Sequence, residues 1–99
     1  MLHILWEYRV SAGKRSDFER HYSSSGTWAE FFRRGPGYRG TTLLRDPEDP
    51  SRYLTIDVWD DAASFHRFKQ EFAAEYAAID RQMEALTESE RHIGNFESR

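Results

Sequence analysis

Along this chain the hydrophobic period switches between two and 3.6 residues, and the order of the switches admits few folds. Residues 2–10, LHILWEYRV, alternate. Leu2, Ile4, Trp6, Tyr8 and Val10 fall on one side, and His3, Leu5, Glu7 and Arg9 on the other, as a strand with two distinct faces requires. Ser11-Ala12-Gly13-Lys14 reads as a turn. Ser16 and Glu19 have the spacing of a capping box, so a helix is expected to begin there, with Phe18 and Tyr22 on one face. SSSG (23–26) is a poor helix interior. Thr27 with Glu30 offers a second capping box, and Trp28, Phe31 and Phe32 stand at i, i+3 and i+4. The first helix is therefore either kinked at SSSG or restarted after it. RRGPG (33–37) ends it, with basic residues in the last turn, Gly35 at C′ and Pro36 beyond.

Residues 38–45, YRGTTLLR, read as a second strand, and DPEDPS (46–51) as an acidic surface loop. A third strand runs over 52–59, after which Asp60 or Asp61 can cap a helix. Phe65, Phe68, Phe72, Tyr76, Ile79, Met83 and Leu86 then recur at steps of three and four. They form a continuous apolar stripe on a helix of up to about seven turns, or on two segments with a break between them. ESERHIGNF (88–96) completes the pattern as a last strand, weakened by Gly94 and Asn95. The order β-α-β-β-α-β specifies an α+β, ferredoxin-like fold: a four-stranded antiparallel sheet with both helical limbs on one face. At 99 residues this is one domain over 1–99.

The third strand separates Leu54, Ile56 and Val58 from Tyr53, Thr55, Asp57 and Trp59. One set can meet the helices. The other would be left bare, and the sheet is too apolar on both sides for a monomer that exposes one of them. A symmetric homodimer built sheet to sheet is expected. Seven Phe, five Tyr and three Trp supply apolar surface that a small domain with few aliphatics needs. The chain has no cysteine, which excludes disulfides, thiolate nucleophiles and thiolate metal sites. A net charge of −3 with both signs interspersed gives no nucleic-acid footprint. No apolar run approaches membrane-spanning length, and MLHILWEYRV lacks the basic lead-in and cleavage site of a signal peptide. A cytoplasmic protein with no membrane partner is the expectation.

Three segments carry a family resemblance: ILWEYRVSAGK at the opening strand and turn, GPGYRG after the first helix, and LTIDVWDDAASF. In the last, an acid, one residue, Trp, an acid, and an aromatic six positions beyond the Trp stand as Asp57, Val58, Trp59, Asp60 and Phe65. The chain resembles the antibiotic biosynthesis monooxygenase family of the dimeric α/β-barrel superfamily over nearly its whole length. The resemblance implies a cleft between sheet and helices and, in the aromatic polyketide branch, oxygenation of a phenolic small molecule with no cofactor. It places Thr55 where that branch has Asn, keeps Trp59, puts Phe65 where a Tyr stands, and puts Leu44 near the place of a His. In the haem-degrading branch the matching Asn, Trp and His fall on Tyr8, Phe68 and Tyr76, leaving no imidazole for iron.

By strand alternation Thr55, Asp57 and Trp59 share a face, which the resemblance makes the cleft face. Asp57 is then either beside a pocket with a perturbed pKa or tied to a base across the sheet, with Arg9, Arg39 and Arg45 as candidates; a buried carboxylate needs a partner in either case. Trp59 is either a core anchor or an indole N–H that orients a ligand oxygen. Cofactor-free oxygenation needs a dry aromatic pocket, a proton acceptor and orientation. Trp6, Tyr8, Tyr22, Trp28, Asp57, Phe65, Phe68 and Tyr76 are the expected substrate-binding residues, with His21, Trp59 and Thr55 as the expected catalytic ones. His21 is the base of choice because it borders the apolar helix face. His66 is expected in solvent, His3 at an edge or dimer contact, and His92 in an ion pair with Glu88 or Glu90. No metal-ligand spacing occurs, so no metal is expected. Two functions fit: a cofactor-independent monooxygenase of a planar aromatic molecule, and a non-catalytic dimeric barrel that binds a small apolar ligand.

Overall fold

A computed structural model describes the chain from Met1 to Arg99. Its elements are β1 (Leu2–Val10), α1 (Arg15–Tyr22), α2 (Thr27–Phe32), β2 (Tyr38–Arg45), β3 (Arg52–Trp59), α3 (Ala62–Glu71), α4 (Ala73–Met83), a 3₁₀ turn (Glu84–Leu86) and β4 (Thr87–Glu97). The sheet is antiparallel, in the order β2-β3-β1-β4. This is the ferredoxin-like α+β architecture: β1 and β3 are central, and the helical limbs lie on one face.

The period-two pattern decides which face that is. Leu2, Ile4, Tyr8 and Val10 of β1 and Tyr53, Thr55 and Trp59 of β3 are buried against the helices. Leu5, Leu54, Ile56 and Val58 lie half-exposed on the other face, with Leu5 opposite Ile56 and with Glu7 and His3 opposite Leu54 and Val58. Leu44 and Phe96 extend that patch onto the edge strands and are 47% and 53% exposed. The helix side is packed largely by rings. Phe18 stacks on Tyr22 with centroids 4.1 Å apart, and Trp59 is fully buried among Phe32, Tyr38, Phe65 and Phe68. Offset and edge contacts of this kind each add stability beyond area burial.

The helices differ from expectation in their ends. SSSG does separate two helices. Neither expected capping box forms, because α1 starts at Arg15 with Lys14 as N-cap and α2 starts with Gly26 as N-cap. Ser16 and Thr27 are thus already inside the first turn, past the position from which a side chain caps. Asp61 does cap α3, accepting from the Ser64 N–H at 2.8 Å. The apolar stripe that follows is broken once, at Phe72 (φ −111°, ψ 29°), which ends α3 and begins α4. The stripe stays on the core through the break: Phe68, Phe72, Tyr76, Ile79, Met83 and Leu86 all pack there. Gly35 is not a left-handed helix stop. It lies where an added Cβ would come within 2.6 Å of the Phe68 ring and 3.0 Å of Trp59, so glycine lets this loop press onto the core. In β4, Ile93 is an extra residue opposite β1, between the pairs Leu5–Gly94 and Trp6–His92. Gly94 takes φ +157° at this bulge.

Candidate active site

Where β1, β3 and the helices do not close completely they leave a cavity of about 230 Å³. Each wall comes from a different element. Strand β1 gives Trp6 and Tyr8, α1 gives Tyr22, and α2 gives Trp28 and Phe32. Strands β2 and β3 give Thr41, Thr55 and Asp57. The rim is completed by Lys69, Tyr76, Asp80 and Glu90 from α3, α4 and β4. The rings contact one another around the space: Tyr8 and Tyr22 at 5.1 Å, Trp28 and Tyr76 at 5.2 Å, Trp28 and Phe32 at 5.6 Å.

Asp57 sits on this wall without a cationic partner. Its Oδ1 accepts from the Thr41 hydroxyl at 2.6 Å, and Thr41 in turn meets the Tyr38 hydroxyl at 2.5 Å. Because Thr41 donates to Asp57, Tyr38 is the donor to Thr41, so both protons point toward the carboxylate. Burial raises the Asp57 pKa from 3.8 to about 6, and the Thr41 hydrogen bond opposes that rise. The expected arginine pairing does not occur. Arg9 binds Asp49 at 2.8 Å, Arg39 binds Asp60 at 2.5 Å, and Arg45 approaches Glu19 at 3.4 Å. Arg9 lies on the opposite sheet face, and the side chains of all three reach outward to exposed acids.

Thr55 donates to the Tyr8 hydroxyl at 3.3 Å and is 3% exposed. Burial holds the Tyr8 and Tyr22 hydroxyls well above the usual phenol range and lifts Tyr76 to about 12, so all three are neutral hydrogen-bonding groups. The Trp28 indole lies near the Tyr22 hydroxyl, yet its buried Nε1 makes no hydrogen bond of acceptable geometry. An N–H left this way lacks an acceptor that a ligand can supply.

Of the residues expected in the site, Trp6, Tyr8, Tyr22, Trp28, Thr55, Asp57 and Tyr76 line the cavity together. Trp59, Phe65 and Phe68 do not: they form the packed layer behind Phe32. His21 is also outside. Its Nδ1 is 2.7 Å from the Thr27 hydroxyl, turned toward the α1–α2 junction. His66 is exposed as expected, and His3 meets only Ser98, at 3.5 Å. His92 makes no ion pair: it meets Asn95 at 2.7 Å and lies over Trp6 at 5.1 Å. Sequence reasoning missed Phe32, Thr41, Lys69, Asp80 and Glu90. Lys69 and Asp80 were within reach of it, since they stand seven residues before and four after Tyr76 on one helical row. Glu90 was not, because its place opposite Tyr8 depends on the β1–β4 register.

The fold that frames this cavity is shared with known proteins. The cofactor-independent oxygenase SnoaB from Streptomyces nogalater superposes with a TM-score of 0.73 at 29% identity, covering 99% of this chain and 92% of that one. A variant of the same protein gives 0.75 at 28% over the same shares. PA3566 from Pseudomonas aeruginosa shares the fold at 18% identity and TM-score 0.70, covering 99% and 93%. No curated protein matches the chain. Residues 1–79 match the family model described as antibiotic biosynthesis monooxygenase, and with four-fifths of its length so matched, this chain belongs to that family.

Proposed function

We propose that this chain is a cofactor-independent monooxygenase that oxidises a planar phenolic molecule bound in the cavity, and that it works as a homodimer. One observation carries the reading: a carboxylate with no cationic partner, ionised at neutral pH, in the wall of an aromatic cavity. Asp57 takes the phenolic proton. The resulting anion reduces O₂ and forms a C–O bond at the ring carbon para to its oxygen. Loss of water from that peroxide leaves a second carbonyl, so phenol and O₂ give quinone and water.

The proton transfer is uphill. An ordinary phenol near 10 against an acid near 6 costs roughly 5 kcal/mol, so the anion needs donors. In this reading the unpaired Trp28 N–H of the cavity lining supplies one, and the Lys69 ammonium another once it leaves the Tyr76 ring. Thr55 positions Tyr8, and Trp59 backs the wall through Phe32. The proposed dimer covers the apolar face made by Leu5, Leu44, Leu54, Ile56, Val58 and Phe96.

A second reading has its own support. The Thr55 hydroxyl is committed to Tyr8, and Trp59 and His21 lie off the cavity, which suits a barrel that binds an apolar ligand without turning it over. Oxygen uptake by metal-free protein with naphthol- and anthrol-type phenols separates the two. The oxygenase reading expects uptake that falls at least about a hundredfold in Asp57→Asn, the usual scale for a lost general base. Uptake unchanged by that substitution removes Asp57 as the base. Binding without uptake leaves the non-catalytic barrel.

A further inference from the structure

The cavity has a charge pattern that a phenol does not require. Three carboxylates, Asp57, Asp80 and Glu90, face it against a single ammonium, Lys69, and no guanidinium lines it. Lys69 is itself occupied, with Nζ 5.0 Å from the Tyr76 ring and 5.5 Å from Phe65. Arg34 pairs with Glu75 at 2.7 Å, and Arg91, next to Glu90 in sequence, pairs with Glu7 at 3.0 Å; neither lines the cavity. Asp80 and Glu90 make no ion pair. Burial raises the Glu90 pKa, and repulsion from Asp80 and Glu84 raises it further, the mark of negative potential that no neighbour cancels. Trp6, Tyr8, Tyr22, Trp28, Phe32 and Tyr76 line the same space, and aromatic rings attract cations over their faces. The carboxylates do not converge as a metal site would require, so the field suits an organic cation. The Trp28 N–H, 8% exposed as a residue and without a partner, adds a demand for an acceptor atom on the same ligand.

We infer that the cavity takes a planar aromatic ligand bearing a protonated amine together with an acceptor oxygen, and discriminates against the same ring bearing a carboxylate. The inference deepens the reading of this cavity as the substrate site and rests on it. It also meets a difficulty of that reading: a phenolate formed beside the carboxyl groups of Asp80 and Glu90 gains nothing from them, and an ammonium at the rim gives it a counter-charge.

Calorimetric titration with 2-naphthylmethylamine, 2-naphthylmethanol and 2-naphthoate tests the charge preference on one ring system. At low salt the amine is expected to bind about tenfold or more tighter than the carboxylate, with the alcohol between. The spread should narrow at high salt and in the Asp80→Asn, Glu90→Gln double variant, whose two sites are exposed and whose fold circular dichroism verifies. Equal or tighter binding of the carboxylate overturns the inference, as does a spread unchanged in the double variant, or no binding by any of the three. Parallel oxygen uptake with 1-naphthol, whose para carbon carries a hydrogen, keeps the two claims apart. Uptake without charge preference sinks this inference alone. Charge preference without uptake on 1-naphthol or on an aminomethyl derivative of it with that carbon free sinks the oxygenase reading alone.

Discussion

Asp57 sits in the cavity wall at a cost to the fold. Its native pKa of about 6 lies above the ordinary 3.8. Well below pH 3.8 the group is protonated in folded and unfolded chains alike and costs nothing. Between about 3.8 and 6 the unfolded chain ionises it while the folded chain holds the proton, so stability falls as pH rises, and above 6 it stays at the lower level. The difference amounts to at most about 3 kcal/mol. Asp57→Asn, whose amide oxygen can still accept from Thr41, should raise the melting temperature at pH 7.5, with the gain vanishing below pH 4. A thermal melt of both proteins across pH 3.5–8 checks this; a gain that persists at low pH would deny the burial penalty. The sequence made Asp57 conspicuous, since an acid in an apolar strand demands a reason. It could not choose between pocket and ion pair. That choice depended on where three arginines point, and long flexible side chains find exposed acids wherever loop geometry offers them. His21 fell to the same limit: the helical period placed it beside the apolar face, but its ring turned to a hydroxyl six residues on.

At the scale of elements, the strands were legible because a half-buried sheet enforces strict alternation; a slip of one residue would expose Tyr53, Thr55 and Trp59 together. Helix ends were not, because a capping motif in sequence competes with tertiary placement of the first turn. Asp61 is a true cap, whereas Ser16 only has the spacing of one. Asp61→Ala should therefore cost about 1 kcal/mol and Ser16→Ala almost nothing in urea denaturation. In the same experiment Gly35→Ala should cost roughly 1–3 kcal/mol, since its Cβ collides with the rings of Phe68 and Trp59. A neutral Gly35→Ala would mean that the α2–β2 loop can lift off the core. The break at Phe72 had no sequence mark, for neither proline nor glycine stands there. The apolar stripe continues through it, and a stripe records which side faces the core rather than whether the backbone is continuous.

For the whole molecule, the uncovered sheet face is the outstanding feature. Leu5, Leu54, Ile56 and Val58 are flanked by Leu44 and Phe96, an exposed apolar grouping of the kind that interaction surfaces carry. The proposed dimer makes it an interface core, where a charge cannot be accommodated. Ile56→Asp should shift the light-scattering mass from two chains to one while leaving far-ultraviolet circular dichroism unchanged. A wild-type protein already monomeric at micromolar concentration would rule the dimer out. The fold itself followed from the order of periodicities, but the cavity did not. It arises where β1, β3 and four helical segments fail to meet, a property of packing that no stretch of sequence states.

The three indoles stand at graded depths, from half-exposed Trp6 to fully buried Trp59. Trp6 lies half-open at the rim beneath His92, Trp28 is buried in the cavity wall with its N–H unpaired, and Trp59 is sealed behind Phe32. Indole emission shifts to the blue and resists soluble quenchers as water is excluded. The protein thus carries an internal optical ruler: quenching at the red edge reports occupancy of the rim, and the blue, quencher-resistant component reports whether the packed layer behind the cavity is still intact.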